Sequence, residues 1–386
     1  MRNPLYERTF VISGTVPNLI FGIAVPTDPK IAKWKTTCFG GNMVKFQIRV
    51  AFWRALQLAA NHLAITLIGL VALQFISLEV SAEQTNAPQH VHTLKITVLV
   101  TNLAGNPKEG EGEWGYSALV EVDGHKILYD TGASADMIVR NAAALHIDLS
   151  GAEDVILSHN HWDHVGGLMT LRRELLKVNP RAISRVHVGA GIFEPRLDES
   201  GQDHNGLKTI RAEYLATGGM FIVHDKPTQL YPGVWFTGPV PRPNIEKNWS
   251  PGLSLVTLQG RIEDNVPEDS ALVFDTTEGA VILTGCGHAG IVNIAEYART
   301  ITHEKPLLAV VGGLHLFSAP EQSVTWTGAK LKTYGIKYLL AGHCTGIEAT
   351  FLLRDSGGMT RKSAVVSTVG SSFTLGSGID PRMLAQ

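Results

Sequence analysis

Residues 154–164 read Asp154-Val155-Ile156-Leu157-Ser158-His159-Asn160-His161-Trp162-Asp163-His164, and the last six have the form H-x-H-x-D-H. Four side chains able to bind a metal fall within six residues, directly behind an apolar run that reads as a short buried strand. Imidazole nitrogens and a carboxylate suit zinc, iron or manganese. In a tight turn, His159 and His161 can address one ion while Asp163 and His164 address a neighbour. A lone histidine at a strand end is ordinarily a polar surface residue. Here three of the chain's 15 histidines stand in one block, with Gly166 and Gly167 behind it, so chance is a poor explanation.

Other apolar runs end the same way. Asp130 closes Ile127-Leu128-Tyr129, and Cys286 and His288 follow Val281-Ile282-Leu283. His315 follows Val310-Val311-Gly312-Gly313, and His343 follows Tyr338-Leu339-Leu340. Five strands that each deliver a ligand-type residue at the same kind of end predict one convergent site. The alternation between them predicts the architecture. Strands are expected over 94–101, 117–122, 125–129 and 154–157, with helices over 134–145 (Ser134 as its N-cap) and 168–178. The middle, 185–259, reads as strand-rich. Residues 238–252 form a proline-rich loop, a lip over the site. The last third alternates strands (271–275, 280–284, 307–311, 336–340 and a final 363–367) with helices (291–301, 323–334, 347–354). Two mixed sheets facing each other, with helices outside, satisfy this α/β order.

On these residues the chain from about 94 to 375 resembles the metallo-β-lactamase superfamily. The carrying motifs are Asp130 in Tyr-Asp-Thr-Gly, the H-x-H-x-D-H block, Thr284-Gly285 and His343. Gly285-Cys286-Gly287-His288-Ala289-Gly290, Gly312-Gly313-Leu314-His315 and His343-Cys344-Thr345-Gly346 resemble a subgroup of proteins like dihydropterin-ribofuranosylaminobenzene-phosphate synthase. The resemblance implies an αββα sandwich with a dinuclear metal site at one edge. It implies that His159 and His161 hold one metal and that Asp163, His164 and His343 hold the second. Asp130 would orient a ligand histidine by accepting its other ring N–H. The superfamily usually has a further histidine before the Thr-Gly strand end and a bridging aspartate just after it. This sequence has no histidine between Pro227 and Cys286, and Cys286 stands at the aspartate's place. His288 is therefore inferred to supply the missing nitrogen, while Cys286 either bridges as thiolate or stands nearby. His187 and His224 are runner-up ligands, better explained as packed strand histidines. His315 is assigned to substrate contact or proton donation, Arg242 on the lip to a substrate anion, and Trp162, with Trp114, to the cleft wall.

Composition bounds the rest. A net charge of -2 with no basic block argues against a nucleic-acid partner. Residues 63–78 are apolar and uncharged behind Lys45, Arg49 and Arg54, and Val80-Ser81-Ala82 follows. That order predicts a signal peptide over 43–82, with a membrane anchor as the alternative. Residues 1–42 read as a doubtful leader, 83–93 as a flexible linker and 94–386 as the metal-binding domain. Of three cysteines, Cys286 and Cys344 adjoin histidines, which favours a site role over a disulfide. The expected function is an exported hydrolase of small molecules. It would use two divalent ions, zinc first with iron or manganese admissible. A metal-activated hydroxide would attack an ester, lactone, amide or phosphoester, and Asp163 would shuttle the proton. A transferase of the synthase type and a non-enzymatic metal-binding or redox protein are the alternatives.

Overall fold

The computed structural model describes residues 90–382 except 107, 250 and 258–259. The leader and signal-peptide readings lie outside the described residues. The predicted linker reaches inside them, and its last residues are fastened: Val91 is buried, and its N–H donates to the Asp275 carbonyl at 2.8 Å.

The first sheet contains β1 (Leu94–Val100), β2 (Ser117–Val122), β3 (His125–Tyr129), β4 (Asp154–Leu157), β5 (Arg185–Gly189), β7 (Met220–His224), β17 (Ser372–Thr374) and β18 (Gly378–Asp380). Their order is β18-β17-β1-β2-β3-β4-β5-β7, antiparallel up to β3 and parallel from β3 to β7. The second sheet contains β8 (Thr228–Tyr231), β9 (Val234–Phe236), β12 (Ala271–Thr276), β13 (Gly279–Thr284), β14 (Leu307–Gly312), β15 (Tyr338–Ala341) and β16 (Ala364–Val366), in the order β16-β15-β14-β13-β12-β9-β8. Its strands are parallel from β13 to β16. Parallel strands covered on both faces read as continuous apolar runs, as Leu307–Gly312 does with every residue buried.

Three apolar layers hold these sheets. Ile96, Val98, Val120 and Tyr129 of the first sheet meet Phe274, Leu283 and Val311 of the second in the central layer. Helices Ile291–Ile301, Glu321–Thr333 and Ile347–Ser356 cover the second sheet's outer face. Helices Met137–Ala144, Leu168–Leu176 and Leu207–Ala216 cover the first. Ile291, Ile294, Ala295 and Ala298 are all buried, the i, i+3, i+4, i+7 stripe that turns one helix face to a sheet. This is the expected αββα sandwich.

The boundaries correct several expectations. The first helix starts at Met137 behind Asp136, with no side-chain cap, so Ser134 does not cap it. Helix Leu207–Ala216 interrupts the supposedly strand-rich middle; only Leu207 and Tyr214 are buried in it, too few for a clear apolar period. Strand Ala364–Val366 is not the last, because β17 pairs back onto β1 and carries β18. A small sheet of β6 (Arg196–Leu197), β10 (Ser254–Thr257) and β11 (Gly260–Glu263) was not expected at all.

Candidate metal centre

The parallel strands of both sheets deliver the motifs to one edge of the sandwich. β3 ends before Asp130, β4 before Ser158, β13 before Cys286, β14 before His315 and β15 before His343. Asp130, His315 and His343 sit at φ of 52°, 48° and 49°, a left-handed conformation uncommon outside glycine. Such strain persists where surrounding bonds over-determine it, and it gathers at functional sites. Gly285 has the complementary role: a side chain there would collide with Ser158 Oγ and the Asp130 carboxylate.

Four rings of the cluster, those of His159, His164, His288 and His343, are anchored from behind. His164 Nδ1 donates to Asp130 Oδ2 at 2.7 Å. Ser158 donates its N–H to Asp130 Oδ1 and its hydroxyl to Oδ2, both at 2.8 Å. With its proton so spent, Ser158 Oγ accepts from His159 Nδ1 at 2.9 Å. His288 Nδ1 donates to the Asn248 carbonyl at 2.6 Å, and His343 Nδ1 faces Asn102 Oδ1 at 3.3 Å. Once Nδ1 carries the proton, Nε2 carries the lone pair. His164 Nε2 lies 3.2 Å from His343 Nε2 and 3.1 Å from Cys286 Sγ. Asp163 Oδ2 lies 3.1 Å from His343 Nε2. The Nε2 atoms of His159 and His288 are buried with no hydrogen-bond partner. The His161 ring packs against His159 and His288, at centroid distances of 4.4 and 4.8 Å.

A buried nitrogen without a partner is costly and rare, and two on facing rings call for a ligand. Donor atoms of His159, Cys286 and His288 lie within 4.8 Å of one another, as do those of His164, Cys286 and His343. Cys286 belongs to both groups, so the residue at the aspartate's place stands between the two histidine sets. The donor chemistry fits divalent cations. Burial holds the imidazoles of His159 and His288 well below their ordinary pKa and brings His161 down to about 4, which leaves lone pairs free. For His164 burial also acts downward, but Asp163 and Asp130 outweigh it and push the ring up to about 9. Burial and the neighbouring Cys344 push the Cys286 thiol up.

The remaining predicted residues divide. His315 joins the cluster, its ring 4.4 Å from His288 and its Nδ1 buried without a partner. Trp114 covers His343 at 4.9 Å. Trp162 is 65% exposed, on the outer rim. Arg242 does not present a free fork: its Nη1 and Nη2 donate to the Asn265 and Val266 carbonyls at 2.7 and 2.6 Å. Its predicted anion contact is left with the N–H groups that these carbonyls do not use. Cys286 and Cys344 are free thiols. Ser158, Asn102 and Asn248 escaped the sequence reading. Ser158 adjoins the motif and was open to suspicion, but Asn102 and Asn248 reach the site only through tertiary folding.

Comparison with known proteins agrees with this geometry. A family model described as the metallo-beta-lactamase superfamily matches residues 114–300. The chain is 32% identical over 269 residues to 7,8-dihydropterin-6-methyl-4-(beta-D-ribofuranosyl)-aminobenzene-5'-phosphate synthase of Methanocaldococcus jannaschii, covering 67% of this chain and 90% of that protein. The chain belongs to the metallo-β-lactamase superfamily. It is also 27% identical over 256 residues to an uncharacterized protein of the same archaeon, over 66% of this chain and 91% of the other. A crystal structure of a metal-dependent hydrolase of the beta-lactamase superfamily aligns with a TM-score of 0.57 and 26% identity, over 73% of this chain and 98% of that one. Members of the superfamily are usually hydrolytic enzymes and typically bind divalent metals.

Proposed function

We propose that the protein is an exported hydrolase of small molecules, acting on an ester, lactone, amide or phosphoester with two divalent cations, zinc before iron or manganese. The observation that carries this reading is the pair of buried, unpartnered Nε2 atoms on His159 and His288 beside Cys286. His159, His161 and His288 would hold one cation. Asp163, His164 and His343 would hold the other, and Cys286 stands within reach of both sets. Bound there, the cations supply Lewis acidity and acidify water toward neutrality.

The chain's own residues do the rest. Asp163 orients the attacking water and takes its proton. His315, with a free buried Nδ1, gives a proton to the leaving group. Asp130 and Ser158 fix the His164 and His159 rings, and Trp162 walls the rim. Arg242 stiffens the lip through its two carbonyl contacts. The net charge of -2 supports small-molecule substrates over nucleic acid. The order of residues 43–82 supports export, with a processed product starting near Glu83.

The test is metal analysis of purified protein together with a panel of esters, lactones, amides and phosphoesters. We expect about two ions per chain and turnover that chelation abolishes. Cys286→Ser should weaken metal retention more than Cys344→Ser does. Equal effects would take Cys286 out of the coordination sphere, and a metal-free active protein would end the reading. The 32% identity to a synthase favours one second reading, group transfer to an organic acceptor. Turnover that requires such an acceptor, with water unable to replace it, selects transfer over hydrolysis.

A further inference from the structure

A cleft of about 600 Å³ opens beside the metal centre, lined among others by Ile245, Glu246, Asn248, Trp249, His315 and Trp326. It lies between the proline-rich lip and helix Glu321–Thr333, within the size range of small-molecule sites. Two of its lining residues also belong to the cluster's surroundings. The His315 ring lies 4.4 Å from that of His288, tilted by 49°, and the Asn248 carbonyl anchors the His288 ring. The lining combines apolar exposure with unspent polar atoms. Ile245 is fully exposed and Trp326 is 38% exposed, so the lining offers apolar surface to a ligand. His315 Nδ1 and Trp249 Nε1 have no hydrogen-bond partner.

Charge on the cleft argues against a cationic ligand, and the helix end beside it is closed to an anion. The N-terminus of helix Ile291–Ile301 would ordinarily attract an anion. It is already filled from within: Glu246 Oε1 and Oε2 accept the Val292 and Asn293 N–H groups at 3.2 and 2.9 Å. Gly290 keeps that place open, since a side chain there would collide with the Glu246 carboxylate. Cations meanwhile surround the indoles. Arg242 and Lys247 lie 5.7 and 5.9 Å from the Trp249 ring, and Lys330 lies 5.9 Å from Trp326. A cationic ligand seeking those rings would meet like charge.

We propose that this cleft is the substrate subsite and takes a flat aromatic group that carries no positive charge, holding the bond to be cleaved at the His315 edge of the metal centre. The assignment deepens the hydrolase reading and rests on it for the word substrate. Trp326 supplies the stacking face.

The test is calorimetric titration of the whole protein, native and chelator-treated, with 2-naphthol, decahydro-2-naphthol and 2-naphthylmethylammonium. We expect 2-naphthol to bind best of the three, with or without chelator. Trp326→Ala should weaken it about tenfold, the loss expected from one stacking side chain, while Trp326→Phe retains most of the affinity. Binding unchanged in Trp326→Ala, no binding of 2-naphthol, or tighter binding of the ammonium each overturns the proposal. The chelated arm keeps the two readings apart. Naphthol bound through Trp326 in a protein that never holds metal sinks the hydrolase reading and leaves the aromatic cleft. A metal-loaded, active protein that ignores 2-naphthol does the reverse.

Discussion

β4 is four residues long, and a buried histidine group gathers beside each of its ends. At its start, Asp154 accepts from His187 Nε2 at 3.0 Å, from Arg185 Nε at 2.7 Å and from the Tyr231 hydroxyl. His187 Nδ1 meets His224 Nε2 at 2.9 Å, and His224 Nδ1 meets Thr228 Oγ1 at 3.0 Å. Every ring nitrogen there has a partner. Past its end, the Nδ1 atoms of His159 and His288 are anchored but their Nε2 atoms have none. Both groups are buried and both include a carboxylate. The difference is the unspent lone pair, which marks one group for a cation and the other as structural. The structural group also joins the layers, because Asp154 and His187 belong to the first sheet and Tyr231 to the second.

Paired substitutions test this contrast at its strongest. His159→Ala should cost about one bound ion per chain and lower turnover on the order of a thousandfold, equivalent to several kcal/mol of lost metal catalysis. The chelated protein should unfold almost as the parent does, since the lost ring leaves behind no carboxylate. His187→Ala should do the opposite, keeping its metal and losing stability. Metal analysis and thermal unfolding of the two variants decide it. Loss of metal from His187→Ala would erase the distinction between the groups.

The sequence made the metal half of this contrast legible and left the structural half nearly silent. H-x-H-x-D-H is local, so one turn carries its meaning, and apolar runs ending in Cys286, His315 and His343 repeat the signal. Asp154 and Tyr231 are 77 residues apart, and nothing near either names the other. The same limit hid Asn248, which anchors His288 from 40 residues away. The sandwich was readable because buried parallel strands such as Leu307–Gly312 are unbroken apolar runs. β17 and β18, three residues each, are too short for periodicity to register. Arg242 shows the converse limit: an arginine on a lip suggests a substrate anion, and only the fold reveals the two backbone carbonyls that accept from its Nη1 and Nη2.

The next effect in size concerns acid. Burial acts to raise the Asp154 pKa, but hydrogen bonds from His187, Arg185 and Tyr231 outweigh it and hold the carboxyl well below its usual range. Burial and the neighbouring His187 hold His224 below its ordinary value. Both folded pKa values are depressed, so both contributions are complete above the unfolded pKa and are lost as pH falls. The His224 part fades first, below about pH 6.5, and the Asp154 part only below about pH 4. Asp154→Asn should therefore destabilise the protein by about 3 kcal/mol at pH 7, as breaking a buried pair does. The gap from the parent should narrow below about pH 4. Denaturant unfolding at several pH values measures it, and a gap that stays constant into acid would mean the carboxylate's charge is not what stabilises this group.

The smallest change isolates the tie between the sheets. Tyr231→Phe removes the hydroxyl on Asp154 and keeps the ring that stacks on His125 at 3.9 Å. One hydrogen bond to a charged acceptor is worth about 1.5 kcal/mol, and metal content should not change. Since Tyr231 and Asp154 share that bond, the double variant with Asp154→Asn should lose less than the two single losses together. Strict additivity would show that the hydroxyl acts elsewhere. A fall in metal content would show that the two ends of β4 are coupled, so that the structural group also holds the strand that presents His159.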